Sequence, residues 1–253
     1  MIEEYIEAFR RRSTAMAGPQ DELVDADGIV GALARGDEST GGRLLIIDDR
    51  ALPVLRELGP GVPAGVITVL AEAKRCTELL ISGGAEPQAA SAMVCRDLAV
   101  VPELALPPEL TLRRVRRRPE DEPDGVPVAA AAAACLRAES VPDEAIPGFV
   151  AFLTSLPPSS RLFAATDAAG AVRATAAYGR YGEDVNVFFV STDPAWRGRG
   201  IASAMTAGAL RAGREQGGVR ACLDATRAGF GIYRRLGFDV AGTVTMFFGM
   251  GGE

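Results

Sequence analysis

Along the chain, short apolar runs rich in β-branched residues alternate with segments whose apolar positions recur at helical spacing. In the first part, Leu44–Asp48, Val66–Leu70 and Ala92–Val100 read as strands, and Glu72–Ile81 reads as a helix ended by Gly83 and Gly84. In the second part the strand-like runs are Leu110–Val115, Leu162–Thr166, Val172–Arg180, Val185–Thr192, Val219–Ala225 and Val240–Phe248. Helical segments there are Pro127–Glu139, Asp143–Thr154, Gly200–Glu215 and Gly229–Leu236. Strands interleaved with helices in this way predict an α/β (α+β) fold with a mixed sheet flanked by helices.

The stretch Val101–Leu110 (VPELALPPEL) carries Pro102, Pro107 and Pro108, which neither a continuing helix nor a central strand accommodates. It marks an expected boundary between an N-terminal α/β domain, 1–108, and a C-terminal domain, 109–253. The charged, Pro-rich stretch Arg116–Pro127 reads as a strand-to-helix connection inside the second domain.

Composition narrows the chemistry. With 253 residues, 48% of them hydrophobic and 24% charged, the chain has the make-up of a folded protein that needs no disulfide or metal staple. Lys and Arg number 27 against 33 Asp and Glu, so a nucleic-acid partner has no general electrostatic support. Histidine is absent, which excludes Ser-His-Asp and Cys-His catalysis and His-ligated metals. Cys76, Cys95, Cys135 and Cys222 show no CxxC spacing and sit among apolar residues, as buried reduced thiols do, and no metal site is expected. The start, MIEEYIEAFRRR, is acidic and amphipathic rather than a secretory signal, and the alanine-rich run Val128–Leu136 is too short to span a bilayer. The expectation is a soluble, cytoplasmic protein without a membrane partner.

Two junctions in the second part carry candidate chemistry. After the strand Val185–Thr192, Pro194 forces a turn, and Gly198 and Gly200 let the backbone bend so that successive N–H groups point into one space ahead of the helix from Ile201. The helix N-terminus adds orphan donors and a positive pole, and Arg197 and Arg199 add charge, which together suit a pyrophosphate. A plain turn is the competing reading. At the second junction a strand through Asp224 leads to a short helix carrying Tyr233, which alone would equally be core filler, and then to Leu236-Gly237-Phe238.

Arg197-Gly198-Arg199-Gly200-Ile201-Ala202 matches the R/Q-x-x-G-x-G/A signature of the Gcn5-related N-acetyltransferases (GNAT), and Ile232–Phe238, with Tyr233 before L-G-F, resembles that family's second element. The similarity runs from about Leu110 to Phe248 by order of elements. It implies a GNAT-like sheet in which the strands Val185–Thr192 and Val219–Ala225 splay apart. The pantetheine of acetyl-CoA would then bond backbone at Val190, Ser191 and Thr192, with the pyrophosphate on the segment Arg197, Gly198, Arg199, Gly200, Ile201, Ala202 and Ser203.

The reaction implied is direct attack of a primary amine on the thioester, with an N–H near Val190 as oxyanion donor and Tyr233 protonating the leaving thiolate. Histone-type members carry a Glu where this chain has Asn186, which cannot act as a base. Glu183 and Asp184, acting through water, and Asp224 are the candidate carboxylates, with solvated turn charges as the alternative reading of the first two and an amine that arrives neutral as the alternative to any base. The N-terminal part loosely repeats the last elements of the second without the signature, so it reads either as a degenerate GNAT-like copy in a tandem or as an unrelated α/β cap. The function implied is an acetyl-CoA-dependent N-acetyltransferase acting on a small-molecule amine. The alternative is a non-catalytic acyl-CoA sensor, and the acceptor, the base and any homo-oligomer are left open.

Overall fold

The computed structural model describes residues 1–33, 42–58, 65–121 and 123–248. Element order is α1 (Ile2–Met16), β1 (Glu22–Ala26), β2 (Ile29–Leu33), β3 (Gly42–Ile46), α2 (Leu52–Leu58), β4 (Gly65–Leu70), α3 (Lys74–Ser82), β5 (Gln88–Cys95), β6 (Thr111–Arg116), β7 (Val126–Pro127), α4 (Val128–Ala138), α5 (Ile146–Ser155), β8 (Ser160–Thr166), β9 (Val172–Tyr181), β10 (Asp184–Thr192), α6 (Ile201–Glu215), β11 (Arg220–Thr226), α7 (Phe230–Arg235) and β12 (Asp239–Phe248). Every strand and helix expected from the pattern is present within a few residues, except that Ala92–Val100 divides. Its first part lies in β5, and Leu98–Val100 is a 3-10 turn capped by Asp97. The pattern was not read as α1, β1, β2, α2 or the two-residue β7.

The chain forms two compact units that do not follow chain order. One comprises Met1–Val94, Asp224–Gly231 and Asp239–Glu253; the other comprises Cys95–Leu223 and Ile232–Phe238. The prolines of Val101–Leu110 thus fall inside the second unit's span, and the last strand of the chain belongs to the first.

In the first unit the strand order is β1-β2-β3-β4-β12-β5, antiparallel throughout except for β3 and β4. Its core gathers Leu44 and Ile46 of β3, Ile67 and Val69 of β4, Leu52 and Leu55 of α2, and Cys76 and Leu80 of α3, with Phe247 of β12. Apolar faces recurring at period two in the strands and near 3.6 in the helices produce this packing. β12 therefore supplies both ladders and core to residues that precede it by more than half the chain.

The second unit runs β11-β10-β9-β8-β6-β7, with β10 and β11 parallel and β8, β9 and β10 antiparallel. Ile201 and Met205 of α6 pack on Ala165, Ala174 and Ala176 of the sheet. The small alanines let the helix sit close to the strands, which fixes its N-terminal end. The order helix, three antiparallel strands, helix, parallel strand, helix, last strand occurs twice, first from α1 to β5 and again from α4–α5 and β8 to β12.

Because β12 lies between β4 and β5, residues 1–108 produced alone lack the strand that joins them. That fragment is expected to give no cooperative thermal transition by circular dichroism, and addition of 109–253 is expected to restore one. A cooperative transition in the fragment alone would contradict the arrangement.

Candidate functional site

The geometry of the site begins with a mismatch between β10 and β9. Phe188 pairs with Ala177, but Ser191 pairs with Thr175, so β10 has one residue more than its partner. Such a bulge bends its strand and increases local twist. Phe189 adopts φ +60°, a left-handed conformation rare for a bulky side chain. Its ring packs on Phe149 with centroids 5.3 Å apart, and its carbonyl accepts a hydrogen bond of 2.9 Å from Thr175 Oγ1. These contacts hold a backbone that would otherwise relax.

On the other side, β10 pairs with β11 over Asp184–Asn186 and Arg220–Cys222. Asn186 sits at the last paired position, buried, and its Nδ2 donates to the Cys222 carbonyl at 3.1 Å. Beyond this clamp β10 carries Phe188–Thr192 without a ladder to β11. The expected splay is present, with backbone groups of Val190, Ser191 and Thr192 on the strand that bends away. Val190 packs toward Ile201 and Met205, while Ser191 is held by Thr175 at 2.9 Å.

The loop after β10 is rigidly built. Asp193 caps the turn Pro194–Trp196 through the Ala195 amide at 2.9 Å, and Arg173 bridges Asp193 and Asp167, each at 2.8 Å. Gly198 and Gly200 have φ of +79° and +75°, and a Cβ on either would meet no atom within 4 Å. The space over the loop is therefore open, and both glycines are in a conformation that L side chains rarely adopt. The helix ladder starts with Ala204 N–H to Gly200 O, so the N–H groups of Ile201, Ala202 and Ser203 have no helical acceptor. This backbone fits a pyrophosphate.

The arginine side chains of the signature have other duties. Arg197 donates to Thr192 O at 3.1 Å and to Ala138 O at 2.7 Å, tying β10 to the end of α4. Arg199 stacks over Trp196 at 4.7 Å and pairs with Glu109 at 3.3 Å. The expected extra charge on the phosphates is thus engaged in holding the loop in shape.

Tyr233 is buried on α7 and packs edge-on against Phe238, with centroids 6.0 Å apart. Burial, reinforced by the negative charge of Glu139, pushes its phenol up to about 12. Glu139, exposed at the end of α4, is thereby within electrostatic reach of the phenol. Sequence reasoning missed Glu139, because nothing local shows that the end of the alanine helix approaches Tyr233. Cys135, one helical turn earlier, faces Ser191 and Thr175, and burial pushes its thiol up to about 11. It is protonated at neutral pH and is a poor nucleophile.

The carboxylates proposed from sequence lie elsewhere. Asp184 is buried and ion-paired with Arg220 rather than solvated, and Glu183 is exposed at the preceding turn, where its carbonyl accepts from Val219 N–H at 2.8 Å. Both occupy the closed end of the β10–β11 pair, and Val190 is six positions further along β10, about 20 Å at roughly 3.3 Å per residue. Asp224 accepts a hydrogen bond from Tyr5, and burial pushes its carboxyl up from its ordinary value.

Residues 158–240 match the family model described as acetyltransferase (GNAT) domain. The chain carries a GNAT domain. No curated protein matches the sequence. Among solved structures, a GCN5-related N-acetyltransferase from Kribbella flavida is similar over 98% of this chain and 96% of its own, at 19% identity and a TM-score of 0.64. One from Sphaerobacter thermophilus covers 88% of this chain and 81% of its own at 17% identity and 0.56. A tandem GNAT protein from the clavulanic acid biosynthesis pathway covers 100% and 95% at 15% identity and 0.54. At such identities the likeness shows the fold, the GNAT-like mixed, splayed sheet expected from the sequence. Among the described residues no helix is long and apolar enough to cross a membrane, and no group of three or more Cys, Asp or Glu is arranged to hold a metal.

Asn186 in this GNAT domain is a clamp, so Asn186→Asp would set a buried carboxylate against the Cys222 carbonyl. The expected result is a stability loss of about 2 kcal/mol or more in urea titration, from an unpaired buried acceptor. Unchanged stability would remove the clamp from the account.

Proposed function

We propose that the protein is an acetyl-CoA-dependent N-acetyltransferase acting on a primary amine of a small acceptor. The observation that carries the reading is the bulge-opened end of β10, followed directly by a glycine loop and the free N-terminus of α6. A splayed strand offers backbone donors and acceptors that an amide-bearing chain satisfies as a further strand would, and the helix start adds anion-binding N–H groups.

Acetyl-CoA would supply the acyl thioester. In this reading the backbone at Val190, Ser191 and Thr192 orients it, the amides from Arg197 to Ser203 hold its phosphates, and an N–H near Val190 donates to the developing oxyanion. Tyr233, protonated throughout the working pH range, donates a hydrogen bond to the departing sulfur. With its phenol near 12, full proton transfer to a thiol of ordinary acidity is uphill, so stabilisation by hydrogen bonding is its main contribution. Glu139 replaces Glu183 and Asp184 as the carboxylate proposed to receive the amine proton. The protonated Cys135 supports direct transfer over an acyl-cysteine route.

The first unit is proposed as a degenerate GNAT-like copy. Its order of elements repeats that of the second. Its parallel strands β3 and β4, however, stay paired from Gly42↔Gly65 to Ile46↔Val69, leaving no opening. Where the signature loop would stand, Asp48 and Asp49 precede α2, and Asp49 accepts the amides of Arg75 and Cys76 at 2.9 and 3.1 Å. Carboxylates at that point would repel phosphates. A non-catalytic acyl-CoA sensor is the second reading, favoured by the clamped Asn186.

Thiol release from acetyl-CoA with a panel of amines separates the two. Wild type is expected to accelerate release with at least one amine. Tyr233→Phe should lower kcat on the order of 10²-fold while leaving CoA affinity near wild type. Glu139→Gln should lower kcat most at neutral pH and least at alkaline pH, where the amine arrives deprotonated. CoA binding without turnover of any amine would favour the sensor, and a Tyr233→Phe kcat equal to wild type would remove the phenol from the mechanism.

A further inference from the structure

The sequence holds one feature that the acetyltransferase reading does not use: five arginines within Arg113–Arg118, in a chain of net charge −6. In the structure a cavity of about 310 Å³ lies where β6 ends and β8 begins. Arg114, Arg116, Arg117, Arg118 and Arg161 line it together with Ser160, and Glu120 and Asp121 are the carboxylates on its wall. Ser160 pairs with Gly179, as does Asn186, whereas Thr192 and Ala165 both pair with Ala174. The cavity is therefore at the strand ends opposite to the glycine loop.

Part of this cluster has a structural duty. Arg117 donates to the carbonyls of Leu156 at 2.9 Å and Ser160 at 3.0 Å, Arg118 donates to Leu156 O at 3.0 Å, and Arg161 donates to Ser160 O at 3.0 Å. Asp121 accepts the backbone amides of Arg117 and Arg118 at 2.7 and 2.9 Å. The Asp121 carboxylate offsets part of the charge of Arg117 and Arg118, whereas the carbonyls satisfy hydrogen bonds without neutralising it. Burial and the nearby Arg118 and Arg161 push Arg117 below its ordinary value, as expected of crowded like charges. Ser160 is fully buried, and its hydroxyl has no hydrogen-bond partner. Such a group in a native fold calls for an explanation.

We propose that this cavity binds a small phosphate-bearing anion, at a site separate from the glycine loop. Guanidinium forks match phosphate oxygens in pairs, and several converging on one cavity favour a doubly charged tetrahedral oxyanion over a single carboxylate. The volume is at the lower end of small-molecule sites, about 300–1,000 Å³, which suits inorganic phosphate or a sugar phosphate better than a nucleotide cofactor. Binding relieves repulsion among the arginines, so occupancy stabilises the β6–β8 end of the second unit by mass action.

The test uses the full chain. Thermal unfolding and calorimetric titration are followed with inorganic phosphate, pyrophosphate and glucose 6-phosphate, each with and without saturating CoA. At least one of the three should raise Tm in a concentration-dependent way, with the shift retained when CoA is present; which one does so separates free phosphate from an organic monoester. Arg161→Gln and Arg116→Gln should each weaken that affinity about tenfold or more, as loss of a charge-assisted bond does, and leave CoA affinity unchanged. Arg116, whose bond to Pro123 O is a long 3.4 Å, provides a variant that keeps the Leu156 and Ser160 ties. No shift with any of the three, a shift abolished by CoA, or undiminished affinity in both variants would overturn the proposal. Arginine-dependent affinity for single-stranded RNA without affinity for the small phosphates would also overturn it.

Discussion

The site depends on one extra residue in β10. Between Phe188 and Ser191 this strand advances three positions while β9 advances two, and a strand so bent cannot keep a straight ladder with β11 on its other side. The strain at Phe189 is sustained by Phe149 and Thr175 on one face, while Asn186 fixes where the parallel pairing ends. The end of the β10–β11 ladder at Asn186 and Cys222 follows from these local contacts. The loop geometry then matters because Arg173, Asp193 and Trp196 hold the turn, and Arg197 ties it to α4.

The first unit shows what the same order of elements does without that extra residue. β3 and β4 remain paired along the whole of β3, and aspartates take the place of the glycine loop. It keeps a well-packed apolar core, yet that core is completed by Phe247 from the end of the chain. The ladders and core of the first unit are thus not closed within residues 1–108.

Much of this was legible in the residues. Apolar periodicity located the strands and helices around the site, and Gly198 and Gly200 marked positive φ because glycine adopts it without steric cost. The strands Glu22–Ala26 and Ile29–Leu33 were not legible: the first is largely exposed, apolar Leu23 included, and the second is buried throughout and shows no alternation. The pairing of β12 with β4 is a long-range choice that no local pattern encodes. The same limit applied to chemistry. Glu183 and Asp184 are close to the site in sequence but lie at or just before the far end of β10, whereas Glu139, distant in sequence, acts electrostatically on Tyr233. The engagement of Arg197 with Ala138 was hidden for the same reason.

Hydrogen exchange of the full chain with and without CoA tests the central claim most directly, because it reads the backbone amides themselves. The account expects CoA to slow exchange over Phe188–Thr192 and Arg197–Ser203, while the corresponding segment of the first unit, Gly42–Leu58, keeps its rate. CoA bound with protection confined to other segments, or equal protection of Gly42–Leu58, would contradict it.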